Sequence, residues 1–359
     1  MMFLQRCLDL GSRGYGFVSP DPMVGCVLVR DGRIIAEGFH RYCGGLHAEI
    51  EALRRAGRRA KGSTLYVNLE PCSHQRKNSP CAEAIIAAGV ARVVVSSKNP
   101  HPLESGGTIK KLRRAGIEVS AGVLRRSSER LNERFFKFMR TGLPFVAVRI
   151  TQTLDGRVTD ALGNSKWITS KTSREEAHRL RSMYDAVLVG FHTINEDNPR
   201  LTVRFAEGRN PLRVVLDPGL FVSPDSAVFD TRTAGTLVFA SAFAMDHRKA
   251  VLKKLSGRGV YVLGLDKSNP FDLKVVLKTL AALGVTSVLV EGGPFTSGMF
   301  LSGSMVDKVY AFVSLRLLGN GVNSLNIKPS PRLGHGVSFN EISLRPIGHD
   351  FLMEGSVAR

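Results

Sequence analysis

At 359 residues the chain has room for two domains, and a content of 43% hydrophobic and 23% charged residues excludes intrinsically disordered and fibrous classes. No apolar run approaches the roughly 20 residues of a membrane-spanning helix. The opening MMFLQRCLDL, interrupted by Arg6 and Asp9 and soon followed by Arg13, lacks a signal-peptide core, so a cytoplasmic protein is expected. Lysine and arginine number 50 against 31 acids, a net charge of +19 that favours anionic partners without choosing among nucleic acid, phosphorylated metabolites and a phosphorylated dinucleotide.

The apolar run 24–29, the turn Asp31-Gly32 and the return at 33–38 predict a hairpin. A helix is expected over 48–56, a strand over 64–69, a helix over 81–88 stopped by Gly89, and a buried strand over 91–95. Helix and strand recur at 109–115 and 117–119. A charged helix follows over 127–139, with Leu131, Phe135 and Phe138 on one face. Thr141-Gly142-Leu143-Pro144 breaks the pattern and predicts a boundary between domains 1–143 and 144–359. Beyond it, strands are expected at 145–150, 186–190, 212–216, 236–240, 287–290 and 308–313, with helices at 173–183 and 273–283. Both halves therefore read as α/β, the second with a sheet that becomes mixed near its end.

Five cysteines, an odd number, do not make a disulfide framework, and the close pair Cys72 and Cys81 suggests a metal or a reactive thiol. His47-Ala48-Glu49 opens one predicted helix, Pro71-Cys72 follows a strand, and Cys81 opens another helix. One histidine and two cysteines supply the three protein ligands of a catalytic zinc. Glu49 is placed to take a proton from a zinc-bound water and hand it to a departing amine. H-x-E with P-C and a later cysteine is the signature of zinc-dependent base deaminases, although the gap of eight residues between the cysteines departs from the usual C-x-x-C.

That gap, within Glu70-Pro71-Cys72-Ser73-His74 and Ser79-Pro80-Cys81-Ala82, resembles the deaminase half of the bifunctional riboflavin-biosynthesis deaminase–reductases. So do the runs Pro20 to Cys26, Gly38-Phe39-His40 and Asn99-Pro100-His101-Pro102. The resemblance implies a cytidine-deaminase-like fold acting on a phosphoribosylated diaminopyrimidine, with His40 and His74 as candidate pocket residues. Three positions depart from the family pattern: Asp21 replaces an asparagine that contacts the pyrimidine, Arg76 a glycine, and Gly107 a lysine.

In the second half, Val290-Glu291-Gly292-Gly293-Pro294 closes a buried strand with a carboxylate and two glycines, which let backbone amides approach a phosphate. No G-x-G-x-x-G occurs, so the residues alone define only a ligand-binding α/β domain. Gly163 to Ser170, Val189 to Thr193, Asp197 to Arg204 and Leu317-Leu318-Gly319 resemble the reductase half of the same family, which implies a dihydrofolate-reductase-like fold using NADPH. On that resemblance Ser165, Arg181, Leu201, Arg204 and Glu291 contact the substrate. Gln152, Trp167, Thr193, Asp197, Gly293, Pro294, Phe295 and Thr296 line the cofactor. Arg149 stands where lysine is common, and Gln152 where a small residue is usual, so a narrowed nicotinamide pocket is anticipated.

The expectation is a two-step enzyme: a zinc-dependent pyrimidine deaminase over 1–143 holding one Zn2+, and an NADPH-dependent reductase over 144–359. Its partner is a small phosphorylated pyrimidine, with no nucleic-acid or membrane partner, and a homo-oligomer is left open. The rivals are a nucleic-acid-acting zinc deaminase, suggested by the net charge of +19, and a deaminase whose reductase half is degenerate.

Overall fold

The computed structural model describes residues 1–72, 80–101, 105–265, 272–328, 332 and 335–358. The chain divides into two compact units, Met1–Leu143 and Pro144–Arg359. His74 and Arg76 lie outside the described residues.

The first unit opens with helix α1 (Met2–Ser12), followed by strands β1 (Gly25–Arg30) and β2 (Arg33–Phe39), helix α2 (Ala48–Ala56) and strand β3 (Thr64–Leu69). Helix α3 (Cys81–Ala87), strand β4 (Arg92–Ser97), helix α4 (Gly107–Arg114), strand β5 (Glu118–Ala121), and helices α5 (Arg125–Leu131) and α6 (Glu133–Thr141) complete it. The sheet order is β2-β1-β3-β4-β5, with β1 antiparallel to β2 and β3, and β3, β4 and β5 parallel. Asp31 and Gly32 both take positive φ, as a tight hairpin turn requires. β1 is buried on both faces, which is why it reads as a continuous apolar run. Two of its sheet's glycines are close-approach points. A Cβ at Gly25 would collide with the carbonyl of Cys7 on α1, and one at Gly38 with the carbonyl of Ala48, the first residue of α2. Gly38 thus lets the start of α2, with His47 and Glu49, lie against β2.

The expected helix over 127–139 is two helices broken at Asn132. The Asn132 amide accepts from Met23 N at 2.8 Å and donates to Met23 O at 3.0 Å, so a distant loop competes for this residue. The buried residue of α6 is Phe136, while Phe135 and Phe138 are only half-buried.

The second unit contains β6 (Phe145–Thr153), α7 (Lys171–Ser182), β7 (Ala186–Gly190), α8 (Phe191–Asp197), β8 (Leu212–Leu216), β9 (Thr236–Ser241), α9 (Ala242–His247) and α10 (Lys249–Gly257). It continues with β10 (Tyr261–Leu265), α11 (Leu273–Ala282), β11 (Ser287–Val290), α12 (Pro294–Ser302), β12 (Lys308–Ser314), β13 (Phe339–Ile347) and β14 (Asp350–Val357). The sheet order is β10-β9-β8-β7-β11-β6-β12-β14-β13. Strands β10 to β12 in that order run parallel, and the β13–β14 hairpin closes the sheet antiparallel, so the sheet is mixed at its end. β6 extends to Thr153 and places Gln152 inside the strand, opposite Val313 of β12. Among the described residues no helix is long and apolar enough to cross a membrane.

Candidate metal centre and anion site

Three elements bring the first site together. His47 caps the start of α2 with extended backbone angles, Cys72 follows β3 by three residues, and Cys81 is the first residue of α3. The ligand atoms of His47, Cys72 and Cys81 lie within 4.8 Å of one another. His47 Nδ1 is 3.1 Å from Cys81 Sγ and 3.5 Å from Cys72 Sγ. Zinc bonds of about 2.0 Å to nitrogen and about 2.3 Å to sulfur, at tetrahedral angles, set such atoms about 3.6 Å apart. The donor set and its spacing therefore fit zinc. Hydrogen bonding from Cys81 and then from His47 draws the Cys72 thiol down against its burial, toward the thiolate that a metal takes. Replacing Cys72 or Cys81 by serine is expected to abolish a one-per-chain zinc content measured by elemental analysis. Serine at the exposed Cys43 is expected to leave that content unchanged.

Glu49 is 3% exposed, and burial pushes its carboxyl up while the adjacent His47 opposes the shift. A buried carboxyl with a raised pKa, two residues from a metal-ligand candidate, is suited to accepting and returning a proton.

The walls of this site are held by side chains that sequence reasoning did not assign. The buried Glu70 accepts from Gly106 N at 2.9 Å and from Asn99 N and Ile109 N at 3.2 Å, and Thr108 Oγ1 donates to Pro71 O at 2.6 Å. The start of α4 is thereby pinned to the segment that carries Cys72. The signal was present in the Glu70-Pro71-Cys72 motif, but its partners lie 29 to 39 residues away.

His40 is buried, and its ring lies 5.8 Å, edge to face, from that of His47. Its Nδ1 meets Leu46 O at 2.9 Å and its Nε2 meets Asp21 Oδ2 at 3.2 Å, while Gly44 N donates to the same Oδ2 at 2.9 Å. Burial acts to raise the Asp21 carboxyl, but these hydrogen bonds outweigh it and hold it below its ordinary value. Asp21 therefore ties two loops beside the metal centre to each other.

The second unit gathers its predicted residues in two groups. In the first, Glu291 forms a bidentate pair with Arg181 (Nε–Oε1 3.0 Å, Nη2–Oε2 2.7 Å) and a third contact with Arg149 at 3.2 Å. Burial alone would raise the Glu291 carboxyl, but Arg181 and Arg149 hold it at about 2. Arg181 Nη1 donates to Thr202 O at 2.6 Å, and Arg204 Nη1 to Thr202 Oγ1 at 2.9 Å. Arg149 Nε is buried without a hydrogen-bond partner. Two guanidiniums on one carboxylate, with the Arg204 guanidinium held on Thr202 and under the charge of Arg181, leave surplus positive charge here. His178, one turn before Arg181, accepts from Arg204 N through Nδ1 at 3.0 Å. Burial and the charges of Arg181 and Arg204 push its pKa down to about 4, so it is a neutral acceptor that fixes the Arg204 backbone. Leu201 takes a positive φ and buries its side chain in the core of β7, β8 and β9, so only its backbone remains for a ligand.

The second group lies at the carboxyl ends of β7 and β11. Gly293 N donates to Thr193 Oγ1 at 3.1 Å, and a Cβ at Gly190 or Gly292 would run into Thr296. Ser165 Oγ donates to Asp197 Oδ1 at 3.0 Å, joining the 163–167 loop to the end of α8. Trp167 is 66% exposed beneath the guanidinium of Arg174, 4.3 Å away, and its carbonyl accepts from Arg316 at 3.3 Å. Phe295 is exposed at the start of α12.

An α/β unit with a His-Cys-Cys cluster and a buried glutamate, followed by a mostly parallel sheet whose buried Glu291 gathers two arginines, is the arrangement of a zinc-type deaminase joined to a second α/β unit. The cytidine and deoxycytidylate deaminase zinc-binding region matches residues 1–97, and the RibD C-terminal domain matches residues 144–352. The chain is 42% identical to the riboflavin biosynthesis protein RibD of Aquifex aeolicus over 89% of this chain and 88% of that one. It is 36% identical to that of Escherichia coli over 97% and 96%. The crystal structure of the diaminohydroxyphosphoribosylaminopyrimidine deaminase/5-amino-6-(5-phosphoribosylamino)uracil reductase of Thermotoga maritima superposes with a TM-score of 0.88 at 37% identity, covering 99% of this chain and 98% of that one. The chain belongs to the RibD family of bifunctional riboflavin-biosynthesis proteins and is both a deaminase and a reductase.

Proposed function

We propose that unit 1–143 hydrolyses the C2 amine of 2,5-diamino-6-(5-phosphoribosylamino)pyrimidin-4-one, and that unit 144–359 reduces the ribosyl group of the product to ribityl with NADPH. The observation that carries the first step is the convergence of His47 Nδ1, Cys72 Sγ and Cys81 Sγ within 4.8 Å. Zinc held by these three atoms supplies the activation of water that deamination needs. Glu49, buried with its carboxyl pushed up, takes the proton of that water and delivers it to the leaving amine. Atoms balance: water adds at C2, the C2–N bond breaks, and ammonia leaves. The Asp21–His40–Gly44 linkage keeps the neighbouring loops in place during this exchange.

In the second unit the surplus positive charge of Arg149, Arg181 and Arg204 supports binding of the ribose phosphate. The Thr193, Gly293 and Thr296 group at the ends of β7 and β11 supports placing the cofactor's pyrophosphate there. NADPH supplies the hydride when bound, and the protein's part is to orient the C1′ carbon of the opened ribose and to exclude water. Glu291 is ionised throughout the physiological range, so it orients the arginines and the substrate and does not donate the proton. The test is incubation of the purified protein with the diaminopyrimidine phosphate, with and without NADPH, followed by mass analysis. Without NADPH only the deaminated product is expected; with it, the ribitylamino product. A substrate that gains hydrogen without losing ammonia would overturn the order of steps.

A further inference from the structure

Strand β6 carries a hydroxyl beside the Glu291 cluster that has no role so far. Successive side chains of a strand point to opposite faces, so Phe145, Ala147, Arg149 and Thr151 share one face. Phe145 and Ala147 pack there with Ala177 and Leu180 of α7, the helix that also carries Arg181. Next along this face, Arg149 places Nη2 3.2 Å from Glu291 Oε2 and donates from Nη1 to Thr151 Oγ1 at 2.7 Å. One guanidinium thus joins the buried carboxylate to a half-buried hydroxyl nearer the carboxyl end of the strand. β6 lies between β11 and β12, and ligands of open α/β sheets sit outside the carboxyl ends of such strands.

The direction of the Arg149–Thr151 bond fixes what Thr151 can offer. A guanidinium has donors only, so Oγ1 is the acceptor and the hydroxyl proton is turned away from Arg149. Among the described residues no acceptor takes that proton. A hydroxyl that accepts from a cation is polarised into a stronger donor on its other side. The neighbouring groups are poor proton sources. Glu291 is held ionised at about 2, Arg149 and Arg181 keep their protons, and Thr202, which accepts from Arg204, is buried.

Reduction of a ribosylamine to its ribityl form needs a proton as well as a hydride. The C1′–O4′ bond breaks with its electron pair going to O4′, the amine lone pair closes a C1′=N double bond, and hydride then adds at C1′. O4′ ends as a hydroxyl, so one proton is consumed for each hydride. Resting on the reading of this unit as the reductase of the ribosyl group, we propose that Thr151 is a catalytic residue of that step. Its hydroxyl, oriented by Arg149, gives its proton to O4′ as the ring opens and regains one from water.

The zinc-loaded full-length protein is supplied with NADPH and 5-amino-6-(5-phosphoribosylamino)uracil, and NADPH oxidation is followed by absorbance. Thr151→Val keeps the branched shape and removes the hydroxyl. It is expected to lower kcat for reduction about 100-fold while KM and the calorimetric affinity for NADPH stay within about twofold of wild type. Thr151→Ser, which restores the hydroxyl, is expected to recover most of the lost kcat. A Thr151→Val protein with wild-type kcat, or one whose loss lies in KM or NADPH affinity, overturns the assignment and leaves the reductase reading standing. A Thr151→Ser protein as slow as Thr151→Val overturns it too. Wild type that binds NADPH but does not oxidise it with this substrate overturns the reductase reading, and the role of Thr151 falls with it.

Discussion

Glu49→Gln is expected to keep a full complement of zinc and to lower the deamination rate about 10³-fold, within the range that a positioned proton-transfer group contributes. The amide has nearly the volume of the carboxyl and sits in the same buried place, so packing is preserved. What is lost is the ability to accept a proton, because an amide oxygen cannot be protonated at neutral pH and its nitrogen only donates. Reduction of substrate that has already been deaminated is expected to proceed at the wild-type rate in this variant. Elemental analysis and ammonia release measured on the same sample decide the point. Normal ammonia release with zinc present would remove Glu49 from the proton path.

The second large effect is expected at Glu291. Glu291→Ala leaves Arg149 and Arg181 without their shared carboxylate. Removing one partner of a buried ion pair costs about 3–5 kcal/mol, since the remaining charge stays buried and unpaired. Reduction should fall at least about 100-fold, because the arginines lose the geometry in which they meet a phosphate, whereas deamination should be spared. The acid limb of stability provides an independent readout. Glu291 is held at about 2, below its ordinary 4.5. The stabilisation it provides is therefore complete above pH 4.5 and is lost as pH falls toward 2. Wild type should lose stability across that window, and Glu291→Ala should lack this component when unfolding is followed by circular dichroism.

The parts of the protein that were legible from sequence are those fixed by local spacing. His47 and Cys81 stand at the starts of helices and Cys72 in the segment just past β3, where a motif of a few residues announces each of them. The parallel strands β4, β7, β8, β9 and β11 read largely as apolar runs because they are buried along nearly their whole length. What escaped depends on partners distant in the chain. Asn132 interrupts an otherwise continuous helical pattern because its amide is drawn to the peptide of Met23. His178 looks like one more polar residue on a charged helix until Arg204 N is placed on its Nδ1. The β13–β14 hairpin carries no clean alternation because most of its residues are half exposed or exposed, and a bulge at Glu341 shifts its register. Helix α1 is different. Leu4, Cys7, Leu8 and Gly11 are buried at helical spacing, a pattern the sequence does carry.

The clasp around Met23 also has a dynamic meaning. Its N–H is given to Asn132 Oδ1, and its carbonyl accepts from both Asn68 Nδ2 and Asn132 Nδ2 at 3.0 Å. Met23 precedes β1 and sits in a connecting segment, where amides ordinarily exchange with solvent in local openings. Here the protecting groups come from β3 and from the junction of α5 and α6, 45 and 109 residues away. Releasing that proton requires the junction of α5 and α6 to draw Asn132 away while Asn68 and Asn132 still hold the Met23 carbonyl, so in heavy water the Met23 amide should outlast those of the neighbouring loop. A loop residue becomes a reporter of the docking of the α5–α6 junction on the segment that enters β1.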